Sequence, residues 1–441
     1  MKQTDKKRTF PGQKEKFGRN FSQFKPSRPS FGRNFSRKKG NPMKSTFIDE
    51  SKFINKATEQ NAFEYTAKHK FIDFNIDERL KQNIAKKGFV KPTAIQDQTI
   101  PEILKERDVI GLADTGTGKT AAFLIPFINK VIHDKSQKIL IMAPTRELAL
   151  QINMEFMELA RSLGIFSVVA VGGANIGSQI SQIKRGFHFL IGTPGRLKDL
   201  TKRNIINLGS FGSVILDEAD RMLDMGFIDD MKFILDQLPT GKQTLLFSAT
   251  LSREIENLSR NFLNNPVKIE TKIRDTSANV EQDVIRISSN DDKIETLHEL
   301  LIKKDFKKVL IFVKTKIGAE KLEKNLRDRG FHVSSIHGDK SQFNRQKALK
   351  LFRENRIQIL VATDVAARGL DIPEVSHVIN FDIPATYEDY IHRIGRTGRA
   401  EKKGIALTFI GERSKIHSHR SFSGSRGSRR FSSPSHKYRN Y

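Results

Sequence analysis

The chain has 441 residues, no cysteine, and a formal net charge of +27 from 77 Lys and Arg against 50 Asp and Glu. This length is enough for two domains, because a single hydrophobic core usually stops growing at about 250 to 300 residues. The lack of cysteine excludes disulfides and thiolate metal sites. No apolar run approaches a membrane span, and we expect a cytoplasmic protein that binds a polyanion.

The two ends of the chain carry most of the positive charge. Residues 1–44 hold 14 Lys and Arg against 2 acidic residues, and residues 411–441 hold 8 against 1. Both ends are rich in Gly, Ser and Arg interleaved with aromatic residues, and the first contains FGRNFS twice. Such segments cannot bury a core, so disordered basic tails are predicted at 1–45 and 412–441. These tails either stack on unpaired bases and bind phosphates, or are solvated without a specific partner.

Between the tails, short apolar runs alternate with helix-length segments, which predicts an α/β fold with parallel sheets. The first set is DVIGLA, KILIMAPT, SVVAVGG, HFLIGTP, SVILDEAD and TLLFSAT; the second is KVLIFVKT, HVSSIHGD, IQILVATD, HVINFDIP and GIALTFI. We predict two doubly wound domains facing each other across a cleft. The predicted bounds are 46–70 for an N-terminal extension, 71–270 for domain 1, 271–282 for a linker and 283–411 for domain 2.

Residues 113–120 read ADTGTGKT, a glycine-rich loop that leads into a helix. Gly116 and Gly118 let the backbone wrap around phosphate, Lys119 binds the β and γ phosphates, and Thr120 offers a hydroxyl to Mg²⁺. The usual first glycine of this pattern is Ala113 here. Together these residues predict an ATP and Mg²⁺ site, in which Ala113, Thr115, Gly116, Thr117, Gly118, Lys119 and Thr120 contact the nucleotide.

An acidic cluster, DEAD, ends a later apolar run. Asp217 is placed to hold Mg²⁺ largely through its waters, and Glu218 to orient or deprotonate the attacking water. Two adjacent acids at a buried strand end are costly unless a cation or hydrogen bonds compensate. The cluster therefore predicts nucleotide hydrolysis.

With these motifs in order from about Phe71 to Ile410, the chain resembles the DEAD-box ATP-dependent RNA helicases of superfamily 2. HGDKSQ and the short basic tails resemble the minimal-core bacterial members. The resemblance implies two tandem RecA-like domains. It also implies that Gln96, in GFVKPTAIQ, pairs with the adenine edge and that Phe71 stacks on the base. An ordinary packing role for Phe71 is the alternative, and Ala94 stands where the family commonly has proline.

The resemblance implies that the second domain supplies the other wall of the nucleotide site. Arg396 and Arg399, in YIHRIGRTGR, would reach the γ phosphate, and Asp371 would help to hold the ribose. Coupling between nucleotide and RNA is implied for Ser248, Thr250, Gln342 and His392. The run LIFVKTK matches the family's motif IV only approximately, so Phe312 is assigned no role.

RNA contacts are implied at the remaining motifs of both domains. In the first domain they are Pro144, Thr145, Arg146, Gly172, Gly173, Thr193, Pro194, Gly195 and Arg196. In the second domain they are Gly338, Arg345 and Thr363. Such positions contact backbone and 2′-hydroxyls, which predicts RNA binding with little sequence choice.

The sequence thus predicts a monomeric RNA-dependent ATPase that binds single-stranded RNA or a short duplex, locally unwinds it or remodels RNA–protein complexes, and meets ribonucleoprotein partners through its tails. One alternative is an ATP-dependent RNA clamp or a scaffold without productive unwinding. Another is a DNA translocase of the same superfamily. Neither the RNA substrate nor the pathway follows from the sequence.

Overall fold

A computed structural model of the chain describes residues 48–56, 65–114, 116–271, 279–367, 375–398 and 403–411. The predicted tails lie outside these residues, as do most of the predicted linker and three predicted site residues, Thr115, Asp371 and Arg399. Within the described residues, no helix is long and apolar enough to cross a membrane.

The first domain is built on a seven-stranded parallel sheet in the order β3-β4-β2-β5-β6-β1-β7. Its strands are β1 (Val109–Leu112), β2 (Ile139–Met142), β3 (Ser167–Ala170), β4 (Phe189–Gly192), β5 (Ser213–Leu216), β6 (Gln243–Ser248) and β7 (Val267–Glu270). The interior strands are buried along their whole length because helices cover both faces of the sheet.

Two groups of helices sandwich this sheet. One face packs on α1 (Glu78–Lys86), α2 (Ala94–Leu104), α3 (Lys119–His133) and α4 (Arg146–Leu159). The other face packs on α5 (Ile176–Lys184), α6 (Pro194–Lys202), α7 (Ala219–Asp224), α8 (Ile228–Leu235) and α9 (Arg253–Phe262). Short 3-10 helices lie at Phe71–Asp73 and Leu208–Ser210.

The second domain is a six-stranded parallel sheet in the order β10-β11-β9-β12-β13-β8. Its strands are β8 (Val280–Ile287), β9 (Val309–Phe312), β10 (Val333–Ile336), β11 (Ile359–Ala362), β12 (His377–Asn380) and β13 (Gly404–Gly411). One face packs on α10 (Asn290–Leu301) and α11 (Lys316–Asp328). The other packs on α12 (Gln342–Arg353), α13 (Asp364–Ala367) and α14 (Tyr387–Ile394).

The predicted fold class is confirmed: all eleven predicted apolar runs form strands, and the domains are two tandem parallel-sheet units. One boundary is wrong. The predicted linker, 271–282, extends into β8, which begins at Val280 and pairs in parallel with β13 over eight residues. The sequence VEQDVIRI forms an edge strand with alternating exposure, so it lacks the continuous apolar run of an interior strand.

Candidate functional site

The strand order brings three predicted motifs to one edge of the first sheet. β6 lies between β1 and β5, so the loops that follow these strands are neighbours. These loops are the glycine-rich loop, SAT and DEAD. β2, β4 and β3 continue the sheet on the far side of β5, and they carry the three predicted RNA motifs. The predicted nucleotide and RNA motifs therefore occupy two halves of one carboxyl edge.

The glycine-rich loop has a left-handed turn at Gly118, with φ 92°, directly before α3 begins. A Cβ at this position would lie 2.4 Å from the side-chain amide nitrogen of Gln96, so only glycine fits. Lys119 begins the helix; its side chain is 6% exposed, and Nζ donates to the carbonyl oxygen of Ala113 at 2.9 Å. The loop is thus a compact backbone cradle at a helix N-terminus, where phosphate oxygens are stabilised.

Gln96 joins this loop to α2. Its Nε2 donates to the carbonyl oxygen of Gly118 at 3.0 Å, and its Oε1 accepts from the backbone N–H of Thr93 at 3.0 Å. Phe71 is 6% exposed, and its ring lies nearly parallel to that of Phe89, with centroids 5.9 Å apart. Gln96 therefore bonds to protein groups beside the loop. Phe71 makes the contacts expected of an ordinary packing residue, which is the alternative to stacking on the base. Adenine contacts by both residues stay predictions.

The acidic cluster is buried at the end of β5. Burial raises the pKa of Asp217 to about 7, although the charge of Lys119 opposes this shift. Asp217 Oδ1 is buried and has no hydrogen-bond partner among the described residues. A buried carboxylate oxygen without a donor fits a cation site, since a cation compensates the cost of burying the charge. Asp217 and, at the start of α3, Thr120 are the residues that would hold Mg²⁺.

Glu218 occupies the turn between β5 and α7 in a left-handed conformation, with φ 52°. This conformation is uncommon for a residue with a side chain and is typical of functional sites. Arg221 Nη1 donates to Glu218 Oε2 at 2.7 Å, and both side chains are at most 7% exposed. The ion pair keeps Glu218 in one orientation beside Asp217.

The predicted RNA motifs of the first domain meet at Arg146, the first residue of α4. Its guanidinium packs on the glycine pair: a Cβ on Gly173 would lie 2.0 Å from Arg146 Nη1, and one on Gly172 would lie 3.5 Å from Nη2. Arg196, in α6, donates from Nη1 to Gln179 Oε1 at 2.9 Å. The other predicted RNA residues lie at the starts of α4 and α6, namely Pro144, Thr145, Thr193, Pro194 and Gly195.

The second domain contacts this region through Arg345, in α12. Its Nε donates to Oε1 of Glu147 at 2.8 Å, and its Nη1 donates to the carbonyl oxygen of His337 at 3.2 Å. Burial, Arg345 and Arg196 lower the pKa of Arg146, with burial the largest effect. Three arginines therefore share one site. Arg345 was predicted to bind RNA, and the structure gives its guanidinium buried partners in the protein; its RNA contact stays a prediction.

The other predicted residues of the second domain lie at adjacent strand ends. Gly338 follows β10, and Thr363 follows the neighbouring strand β11. Gln342 begins α12, and both polar atoms of its amide are buried without a hydrogen-bond partner among the described residues. An amide in this state fits a site that a ligand completes.

Family models match most of both domains. The DEAD/DEAH box helicase model covers residues 93–258, and the helicase conserved C-terminal domain model covers residues 292–401. The chain is 44% identical over 348 residues to the DEAD-box ATP-dependent RNA helicase CshA of Bacillus subtilis, covering 78% of this chain and 70% of that protein. The chain belongs to the DEAD-box family of ATP-dependent RNA helicases. The predicted resemblance is confirmed.

Other DEAD-box proteins match over a similar part of the chain. The DEAD-box ATP-dependent RNA helicase 5 of Arabidopsis thaliana is 44% identical over 363 residues, covering 78% of this chain and 67% of its own length. A variant of Dbp5 from S. cerevisiae, solved with RNA and ADP BeF3, is 32% identical with a TM-score of 0.69, covering 78% of this chain and 89% of its own. Mss116p, solved with ssRNA and AMP-PNP, is 32% identical with a TM-score of 0.69, covering 76% and 73%.

Asp220 of the DEAD motif connects the acidic cluster to the SAT loop, a role that the sequence analysis did not assign. Its Oδ2 accepts from the backbone N–H groups of Ala249 and Thr250 at 2.9 and 3.0 Å. Ser248 Oγ donates to the carbonyl oxygen of Thr250 at 2.7 Å. Asp220 thus joins the DEAD motif to the predicted coupling residues Ser248 and Thr250. Its position as the last acid of that motif is the sequence signal that could have identified this role.

Arg393 was also missed, and it fixes the helix that carries His392. It is 2% exposed, and its Nε and Nη2 donate to the two carboxylate oxygens of Asp364 at 2.6 and 2.8 Å. Its guanidinium lies 5.1 Å from the ring centroid of Phe312. Arg396 lies two residues after the end of α14, is 4% exposed, and donates from Nε to the carbonyl oxygen of His392 at 3.3 Å.

Proposed function

We propose that the protein is an RNA-dependent ATPase that closes its two domains on ATP and single-stranded RNA and thereby separates short RNA duplexes or remodels RNA–protein complexes. The observation that carries the proposal is the buried ion pair between Glu147 and Arg345, which joins the two domains. Glu147 follows Arg146, so the contact that brings the domains together lies beside the predicted RNA site. RNA binding and domain contact are therefore coupled.

The residues around the glycine-rich loop bind and orient the nucleotide in this proposal. Lys119 and the backbone amides at the start of α3 bind phosphate oxygens, and Asp217 with Thr120 holds Mg²⁺. The bound Mg²⁺ supplies positive charge that offsets the phosphate charge. Glu218, held by Arg221, accepts a proton from the attacking water or orients it. Arg396 and Arg399 stabilise the charge that develops on the phosphoryl oxygens.

Asp220 transmits the state of the nucleotide site to the SAT loop. Its carboxylate is adjacent in sequence to the hydrolytic acids, and it accepts two backbone N–H bonds from that loop. A shift of the DEAD loop therefore moves Thr250 as well. In the second domain, His392 and Gln342 respond to the same change at the nucleotide site.

The RNA is bound through its backbone, with little sequence choice. Arg146 and Arg196 concentrate positive charge at one sheet edge, with Arg345 of the second domain beside them in its ion pair with Glu147, and guanidinium groups are suited to phosphate. The Dbp5 and Mss116p structures that match the chain contain RNA together with nucleotide. Target choice then comes from the basic tails or from ribonucleoprotein partners, and the core acts as a monomer.

The test is ATP turnover with and without RNA, combined with unwinding of a short RNA duplex. We expect RNA to stimulate turnover and Glu218→Gln to abolish it while nucleotide still binds. Glu158→Gln is the matched control, since it makes the same change on an exposed part of α4. Turnover that RNA leaves unchanged would contradict the proposal. RNA-stimulated turnover without duplex separation would instead favour the clamp, and directional unwinding of long DNA would favour the translocase.

A further inference from the structure

The segment before the first domain packs against the second domain. Residues 50–53 form a 3-10 helix, and Phe53 is 1% exposed within the core cluster that includes β8, β9 and α14. The ring of Phe53 meets that of Tyr390 edge-on, with centroids 4.7 Å apart. Lys52 Nζ lies 5.0 Å from the ring centroid of Tyr387. Both tyrosines belong to α14, the helix that leads to Arg396.

Main-chain hydrogen bonds hold the same segment on the edge of the second sheet. The N–H of Asn55 donates to the carbonyl oxygen of Gln282 at 3.0 Å, and the N–H of Gln282 donates back at 2.8 Å. Gln282 Oε1 also accepts from the hydroxyl of Tyr390 at 2.9 Å. Glu50 pairs with Arg286 of β8 at 3.1 Å. This contact, residues 48–56 on β8 and α14, is called the distal anchor below.

A second contact holds the following residues on the first domain. Asp97, in α2, is buried and accepts from the hydroxyl of Tyr65 at 2.6 Å and from the backbone N–H groups of Lys68 and His69 at 2.7 and 3.1 Å. The ring Nδ1 of His69 lies 2.7 Å from Asp97 Oδ1. Asp97 follows Gln96, which bonds to the glycine-rich loop. This contact, residues 65–69 on Asp97, is the proximal anchor.

We propose that the two anchors make the N-terminal segment a strap that limits separation of the domains and keeps the arginine-bearing helix α14 near the nucleotide-side helix α2. Lys56 and Tyr65 are nine peptide steps apart, so the chain between them spans at most about 30 Å. The domains are already joined once, between β7 and β8. The strap adds a second connection, which is covalent to the first domain and non-covalent to the second. It restricts the rotation that one connection permits and raises the effective concentration of each domain at the other.

The strap acts on domain contact and not on the reacting atoms, so its residues are positioning residues. This part of the inference rests on the proposed RNA-dependent closure. A restraint that favours closure lowers the RNA concentration required for half-maximal turnover and leaves turnover at saturating RNA nearly unchanged. Loss of the restraint is expected to raise that RNA concentration about fivefold, a typical size for coupling between sites.

The first experiment lengthens the strap without touching either anchor. Insertion of about 20 Gly and Ser residues between Lys56 and Tyr65 raises the maximal span to about 95 Å. The chain has no cysteine, so Met157→Cys and Ile302→Cys, at two exposed positions of different domains, give a specific pair of dye sites. We expect the inserted variant to show a longer and broader distribution of dye separations without ligands. This readout does not depend on ATP turnover, so it tests the strap even where the proposed function fails.

The second experiment measures turnover against RNA concentration. The inserted variant and Phe53→Ala are both expected to require about fivefold more RNA for half-maximal turnover, with a less than twofold change at saturation. Ile54→Ala is the matched control, because Ile54 is the next residue and is 52% exposed. The inserted variant retains both anchors, so it stays informative even where Phe53→Ala fails to fold. An inserted variant with the parent's dye separations, or with its RNA dependence, would overturn the strap.

Discussion

The ion pair between Glu147 and Arg345 predicts that each residue supports RNA binding through the other. The two side chains are 5% and 8% exposed, and the Nε to Oε1 distance is 2.8 Å. Because they belong to different domains, the pair exists only while the domains are in contact. Glu147→Gln should therefore weaken the closed arrangement and leave the folding of each domain largely intact.

The expected loss of RNA-binding free energy follows from the burial of this ion pair. Two unit charges about 4 Å apart interact by about 4 kcal/mol at an effective dielectric constant of about 20. Removing one partner of a buried pair typically costs about 3 to 5 kcal/mol, because the other charge is left uncompensated. We take the lower end, about 3 kcal/mol, since Arg345 regains water when the domains separate. This corresponds to a roughly hundredfold weaker RNA affinity in the closed state.

The assay is fluorescence anisotropy of labelled single-stranded RNA, with a non-hydrolysable ATP analogue and without nucleotide. Glu147→Gln, Arg345→Gln and the double variant form a double-mutant cycle. We expect both single variants to bind about a hundredfold more weakly with the analogue, the double variant to be no weaker, and binding without nucleotide to change little. Arg345→Gln alone weakening binding, with Glu147→Gln matching the parent, would refute the reasoning and make Arg345 a direct RNA ligand.

Three further changes test other parts of the structure. Asp220→Asn should lose duplex separation more than ATP binding, because it removes a carboxylate that accepts two backbone N–H bonds of the SAT loop; an unwinding assay beside nucleotide titration checks this. Gly173→Ala should weaken RNA binding without affecting ATP binding, since its Cβ would lie 2.0 Å from Arg146 Nη1, and RNA titration measures it. Burial lowers the pKa of His377 to about 4, so the unfolded chain binds a proton that the folded chain does not bind as pH falls from about 6.5 to 4. Urea titrations should show that the free energy of unfolding falls by about 3 kcal/mol over that range. His377→Gln should reduce this dependence on pH.

The interior of both sheets was predictable because each interior strand contains a run of apolar residues. β2 and β5, for example, are buried at every position. The edge strands β7 and β8 were not recognised. Their burial alternates along the chain, and their polar residues face solvent, so they resemble linker sequence until a neighbouring strand supplies hydrogen bonds.

The site was predictable where local sequence determines the geometry, and not where distant contacts do. Gly118 and Glu218 lie in turns that directly follow buried strands, so their motif positions identified them. The pairing of Arg345 with Glu147 joins residues 198 apart. Asp97 likewise belongs to no predicted motif. Its hydrogen bonds to Tyr65, Lys68 and His69 become apparent only in the folded structure. Such contacts need the relative placement of elements, which no local pattern contains.

The electrostatics of the two sites support the proposed link between ligands and domain contact. Asp217 is a buried acid whose pKa is raised to about 7, and Arg146 is a partly buried base whose pKa is lowered by burial and by Arg345 and Arg196. Both shifts mean that the charged forms cost free energy without ligands, and for Arg146 part of this cost comes from Arg345 of the second domain. A cation at Asp217 and RNA phosphates beside Arg146 would remove these costs. RNA beside Arg146 is therefore expected to favour domain contact, and by linkage domain contact is expected to strengthen RNA binding to the same degree.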